Sequence, residues 1–96
     1  MLTGKQRRYL RSLGHPLQVT VQLGRGGISE GVVAAAAQAL ADHELIKVKV
    51  AEAAGLDRHE AAEQLARETG SEIAQVLGNT VLLYRRRAED PAIELP

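Results

Sequence analysis

The chain contains no cysteine, phenylalanine or tryptophan, and only two tyrosines. Without thiols there is no disulfide framework and no thiolate metal site. With so few aromatics, base stacking is poorly supplied, and any contact with nucleic acid should run through the backbone. No apolar run approaches the roughly 20 residues that cross a bilayer. Lys5, Arg7, Arg8 and Arg11 interrupt what would be the apolar stretch of a signal peptide. A cytoplasmic protein without membrane contact is the default expectation. Catalytic signatures are missing too. His59-Glu60-Ala61-Ala62-Glu63 lacks the second histidine of a zinc-binding HExxH helix, and there is no nucleophile elbow or acid–base pair. We expect no metal, no cofactor and no enzymatic activity.

Net charge is also missing, because the formal total over 96 residues is zero. The balance hides a segregation. Residues 1–28 carry Lys5, Arg7, Arg8, Arg11 and Arg25 without one acid, and residues 80–87 add Arg85, Arg86 and Arg87, again without one. Residues 29–79 set four cations against nine acids, and three more acids lie beyond residue 87. Surface potential follows local clustering rather than the sum, so an anionic partner is not excluded.

The length suits one domain, and a hydrophobic share of 45% is ordinary for a globular chain rather than a disordered one. Thr3-Gly4-Lys5-Gln6 reads as a capping box that opens a helix to about Leu13. Leu2, Gln6, Tyr9, Leu10 and Leu13 share one face of it, and Lys5, Arg7, Arg8 and Arg11 the other. Arg7 and Arg11, one turn apart, repel each other unless a phosphate lies between them. Gly14-His15-Pro16 should end the helix, with Gly14 in the left-handed position past its end and His15 capping carbonyls.

Residues 18–23 alternate, with Val19, Val21 and Leu23 on a buried face and Gln18, Thr20 and Gln22 on a wet one. Ser29 suits the N-cap of an alanine-rich helix to about Asp42, and His43 near its end suits the dipole. Leu45 to Val50 is a second strand, with Ile46, Val48 and Val50 opposite Lys47 and Lys49. Ala53-Ala54-Gly55 reads as a loop, and Asp57-Arg58-His59-Glu60 as a capping box for a helix ending at Gly70. Ser71–Leu77 and Thr80–Tyr84 form a hairpin about Gly78-Asn79. Residues 1–87 thus make one α-β-α-β-α-β-β domain, an α/β fold with a mixed four-stranded sheet. Two βαβ crossovers imply parallel pairs, and the hairpin adds an antiparallel strand. Residues 88–96, acidic and with two prolines, are expected to be a loose or surface-draped tail.

One loop carries a chemical signal. Gly24-Arg25-Gly26-Gly27 lies between a strand and a helix start. Glycines there leave backbone N–H groups open to a phosphate, the helix N-terminus adds partial positive charge, and Arg25 supplies a charged donor. This is the physics of the GxxG loop with which KH domains clamp a nucleic-acid backbone. The plainer reading is that the glycines only turn the chain. The coincidence of three glycines, an arginine and a helix start beside basic segments favours phosphate binding. Nucleotide motifs fit less well. Gly31 is followed by Val32, which fails the P-loop, and Ser29 stands where a dinucleotide fingerprint needs its third glycine, in a chain too short for the two-halved fold.

Taken in order, these residues resemble the CRM domain family, specifically its stand-alone bacterial YhbY-type members, over about residues 2–85. The resemblance rests on Leu2-Thr3-Gly4-Lys5-Gln6, Gly14-His15-Pro16-Leu17 and Leu23-Gly24-Arg25-Gly26-Gly27-Ile28-Ser29-Glu30-Gly31. His43-Glu44-Leu45-Ile46-Lys47-Val48-Lys49, Arg67-Glu68-Thr69-Gly70 and Val76-Leu77-Gly78-Asn79-Thr80-Val81-Leu82-Leu83-Tyr84-Arg85 complete it. It implies a fold similar to the C-terminal domain of bacterial initiation factor 3, with RNA bound through the GxxG loop and adjacent basic surface. It also implies association with precursors of the large ribosomal subunit. The departures are the loop after the second strand and the acidic tail. Expected RNA contacts are Gly24, Arg25, Gly26 and Gly27, with Lys5, Arg7, Arg8, Arg11, Lys47, Lys49, Arg85 and Arg86 extending the footprint of a monomer. Arg85 to Arg87 could equally pair with Glu89 and Asp90. The alternative is a protein-binding adaptor that uses the smooth alanine helix or the acidic middle without touching RNA.

Overall fold

The computed structural model describes residues 1–96. Its elements are α1 (Gly4–Gly14), β1 (Val19–Leu23), α2 (Glu30–His43), β2 (Leu45–Val50), α3 (Arg58–Thr69), β3 (Glu72–Leu77) and β4 (Thr80–Tyr84), with a short 3-10 turn at Glu52–Ala54. The capping box of α1 forms in both directions: Thr3 Oγ1 accepts from the Gln6 N–H, and the Thr3 N–H donates to Gln6 Oε1. Ser29 and Asp57 cap α2 and α3 through their side-chain oxygens. Gly70 ends α3 in the left-handed conformation, at φ +66°.

The sheet runs β1-β2-β4-β3. β1 and β2 are parallel neighbours, while β4 is antiparallel to both β2 and β3. The second crossover therefore does not yield an adjacent parallel pair: β4 enters between β2 and β3. An antiparallel hairpin can fold back into that gap, where each of its strands gains a partner without a long connection.

Alternation divides the strands between two cores. Val21, Leu23, Ile46, Val48, Val50, Val81 and Leu83 face α2 and α3, which bring Ala36, Leu40, Ala61, Ala62 and Leu65 to them. Small alanines let both helices lie close to the sheet, so a short chain still excludes water from its centre. On the other face Leu2 and Leu10 pack with Leu45, Ala74, Leu82 and Tyr84, and Ile93 and Leu95 from the C-terminal stretch join them. Helix α1 covers this second face only in part.

Three local expectations are corrected. Val19 is exposed rather than buried, because the β1–β2 register shifts between Val19 and Val21 and breaks the alternation. Tyr9 is exposed too; only Leu10 and Gly14 of α1 are sealed against the sheet. Gly14 is the last helical residue, not a left-handed terminator, and His15 follows it in right-handed conformation. The glycine is required by space: a Cβ there would stand 2.5 Å from Cδ1 of Leu82.

Residues 88–96 drape over the α1 side. Their anchor is Glu44, fully buried at the end of α2 with φ +63°. Its carboxylate accepts from the N–H groups of Arg87, Ala92 and Ile93 at 2.7–2.9 Å. Burial pushes the carboxyl up, but the three N–H donors and the charge of Arg87 outweigh it and hold Glu44 below its ordinary value.

Candidate nucleic-acid interface

The loop after β1 closes through a bond from the Gly27 N–H to the Gly24 carbonyl at 2.9 Å. Only Gly27 has a positive φ, at +64°, so only this glycine is demanded by backbone conformation. Gly24 and Gly26 need no such freedom, and a Cβ built on either meets nothing within 4 Å. Neither packing nor dihedral explains them. What they provide is open approach to the loop from outside. The N–H groups of Arg25, Gly26 and Ile28 have no acceptor within the protein. They lie at the N-terminus of α2, whose partial positive charge adds to that of the exposed Arg25 side chain.

Lys5, Arg7, Arg8 and Arg11 are all exposed on α1, with Arg11 turned toward the sheet beside Lys47 and Arg7 toward α3 beside Glu63. Lys47 and Lys49 project from β2 on the same side of the sheet, since they alternate with Ile46, Val48 and Val50 of the opposite core. Cross-strand register carries this face to the glycine loop. Lys49 pairs with Gln22 of β1 and Thr80 of β4, and Gln22 is two residues before Gly24. The six cations and Arg25 therefore share the α1 face and the adjoining end of the sheet. Acids are exposed on α3 (Glu60, Glu63 and Glu68) and α2 (Glu30 and Asp42). They are not confined to the far side: Glu30 directly follows the glycine loop and its cap Ser29, and Glu63 and Glu72 line a shallow pocket with Arg7. The only ion pair joins the Met1 amino group to Glu72 at 3.3 Å, so no lysine or arginine side chain is neutralised by a carboxylate partner.

The three C-terminal arginines differ. Arg85 is half-buried, and its guanidinium donates to the carbonyls of Thr69 at 2.7 Å and Ala37 at 3.0 Å. Arg87 donates to the Asp42 carbonyl at 3.0 Å and the Asp90 carbonyl at 2.9 Å. Arg85 closes the end of α3 and ties it to the middle of α2, Arg87 closes the end of α2, and neither pairs with the carboxylates of Glu89 or Asp90. Arg86 alone is exposed. The His15 imidazole makes no hydrogen bond; its backbone does the capping, the N–H donating to Arg11 and the carbonyl accepting from Lys47 Nζ at 3.3 Å.

Gln75, Leu77 and Thr80, to which the sequence assigned no contact role, line a cleft of about 320 Å³ between the end of α1 and the sheet, together with His15, read from the sequence as a cap, and the expected Arg11 and Lys47. Strand order, which brings Gln75 beside Leu82 and Lys47, was the missing signal. No group of three or more His, Asp or Glu side chains is placed to hold a metal ion, and no helix is long and apolar enough to cross a membrane.

These features define a class: a three-layer α/β domain with an accessible glycine loop and exposed cations on α1 and the adjoining strand. Residues 2–85 match the model of the CRS1 / YhbY (CRM) domain. The chain belongs to the CRS1/YhbY (CRM) domain family. It is 43% identical over 96 residues to the Bacillus subtilis protein named "Probable RNA-binding protein YqeI", covering all of both chains. It is 41% identical over 95 residues to a Haemophilus influenzae protein named "RNA-binding protein", covering 99% of this chain and 95% of that one. The solution structure of SAV1595 from Staphylococcus aureus superposes with a TM-score of 0.84 at 45% identity, over the whole of both chains.

Proposed function

We propose that this protein binds RNA, with the Gly24–Gly27 loop receiving backbone phosphates and the α1 face extending the contact. The observation that carries this reading is the pair of glycines at 24 and 26, which the fold does not need, beside N–H groups without internal acceptors. Names of the family relatives support the same partner. Phosphate contacts of this kind position an RNA without reading its sequence, so affinity is general and salt-sensitive. Lys5, Arg7, Arg8, Arg11, Arg25, Lys47 and Lys49 form the footprint, and Arg86 is a peripheral addition. Arg85 is occupied by carbonyls of α2 and α3, so we leave it out of the contact surface.

The YhbY-type resemblance narrows the target to ribosomal RNA in precursors of the large subunit, where a monomeric cytoplasmic protein would aid assembly by holding RNA rather than by catalysis. Crosslinking in growing cells, followed by sequencing of the attached RNA, tests this. Enrichment of large-subunit ribosomal RNA and its precursor flanks is expected. Enrichment of messenger RNA would overturn the ribosomal assignment, and recovery of no RNA would overturn RNA binding.

A further inference from the structure

Between the C-terminal half of α1 and the hairpin lies the cleft of about 320 Å³, at the small end of the roughly 300–1,000 Å³ that hold small ligands. Its floor is Leu82, packed tightly against the backbone of Gly14. Arg11 stands on one wall and Lys47 on another, and none of the lining residues is acidic. The Arg11 guanidinium has no protein partner, and Lys47 spends one of its three donors on the His15 carbonyl. An anion can therefore be held between these two cations by free, charged hydrogen-bond donors.

The rest of the cleft suits a flat, partly apolar group. Leu77 is 63% exposed, more than any large apolar side chain other than Met1, and it forms the rim. The Gln75 amide makes no hydrogen bond within the protein, so it offers both donors and an acceptor. Thr80 gives its hydroxyl proton to the Leu77 carbonyl at 2.8 Å and keeps its lone pairs. Charge for a phosphate, an apolar rim and an unassigned amide thus meet in one cleft. Register joins the cleft to the glycine loop: Leu77 pairs with Thr80, Thr80 with Lys49, and Lys49 with Gln22.

We infer that the cleft is a subsite for one unpaired nucleotide, its phosphate between Arg11 and Lys47 and its base against Leu77 and the Gln75 amide. The inference rests on the RNA-binding reading and adds to it a preference for single-stranded segments, because a base in a duplex must first give up its pairing and stacking to enter. An amide with both donors and an acceptor accepts any base edge, so the subsite selects strandedness rather than sequence.

The test compares a short single-stranded RNA with a fully paired hairpin of equal phosphate number, using wild type, the double variant Gln75→Ala with Leu77→Ala, and Gln75→Glu. The double variant should bind the single strand about threefold to tenfold more weakly, the scale of one hydrogen bond and a small apolar contact, with unchanged salt dependence. Its affinity for the hairpin should not change. Gln75→Glu, nearly the same in shape, should weaken single-strand binding further, because it removes both amide donors from the base and sets a negative charge in the cleft that holds the anion. Equal loss for both RNAs, or for neither, would overturn the subsite while RNA binding stands. Wild type that binds neither RNA would remove the RNA-binding reading, and the subsite with it.

Discussion

Leu82 Cδ1 lies 2.5 Å from where a Cβ on Gly14 would stand. No real Cβ tolerates that distance, so helix and side chain together set how closely α1 approaches the sheet. Gly14→Ala should therefore destabilise the domain although alanine is the better helix former. Overpacking of this kind costs about 1–3 kcal/mol. Denaturant unfolding measures it, and an unchanged midpoint would show that Leu82 moves aside freely.

Gly26→Ala should behave in the opposite way. Gly26 has no positive φ and no neighbour near its missing Cβ. The fold should accept alanine, with stability unchanged or raised by up to about 1 kcal/mol through the unfolded chain. RNA affinity should fall several-fold, because the methyl group stands where a phosphate would approach. Thermal unfolding and RNA titration of the same preparation separate the two effects. Undiminished affinity would return the loop to a simple turn.

Arg85→Ala removes two charged donors from the Thr69 and Ala37 carbonyls, which belong to α3 and α2. A loss of about 1–3 kcal/mol is expected, whereas Arg86→Ala, at an exposed position, should leave stability unchanged. Equal unfolding midpoints for the two variants would contradict the distinction between them.

These arginines mark where the sequence stops being informative. Continuing the alternation of Val81 and Leu83 puts Arg85 and Arg87 on the α2 and α3 side and Arg86 on the other, but the carbonyls that hold Arg85 and Arg87 there are visible only once α2 and α3 are placed. Local features were legible. The α1 capping box, the Asp57 cap of α3 (without the return bond from Glu60 that a full box needs), the Leu45–Val50 strand with its two faces and the Gly70 terminator follow from neighbouring residues, and the glycine loop follows from composition. Long-range ones were not. The insertion of β4 between β2 and β3, the shifted register at Val19 and the cleft beside Gln75 all depend on strands far apart in sequence. Glu44 was visible only as one letter of a family motif. Its role needs the tail to return to the end of α2, where three N–H groups find the same carboxylate.

That arrangement predicts a pH dependence. Burial opposes ionisation of Glu44, but the N–H donors and Arg87 prevail, so the folded carboxyl is held below its ordinary value of 4.5. The folded state then binds fewer protons than the unfolded chain near that pH. The stabilisation is complete above about 4.5 and is lost as pH falls through the lowered folded value. Tail docking should weaken in the same window. Amide resonances of Ala92 and Ile93 should shift together as acid is added, and should already be shifted at neutral pH in Glu44→Gln. Titration unaffected by that substitution would assign the acid transition to another carboxylate.

The central claim is that Arg25 at the loop and Arg8 on α1 contact one RNA. It is tested most directly by the salt dependence of single-stranded RNA binding in wild type and in the double variant Arg8→Glu with Arg25→Glu. Wild-type affinity should fall linearly on a log–log plot against salt. Loss of two phosphate contacts should lower the magnitude of the slope by about 1.4, with at least roughly tenfold weaker binding at low salt and unchanged unfolding. A double variant with wild-type affinity and slope would contradict the account.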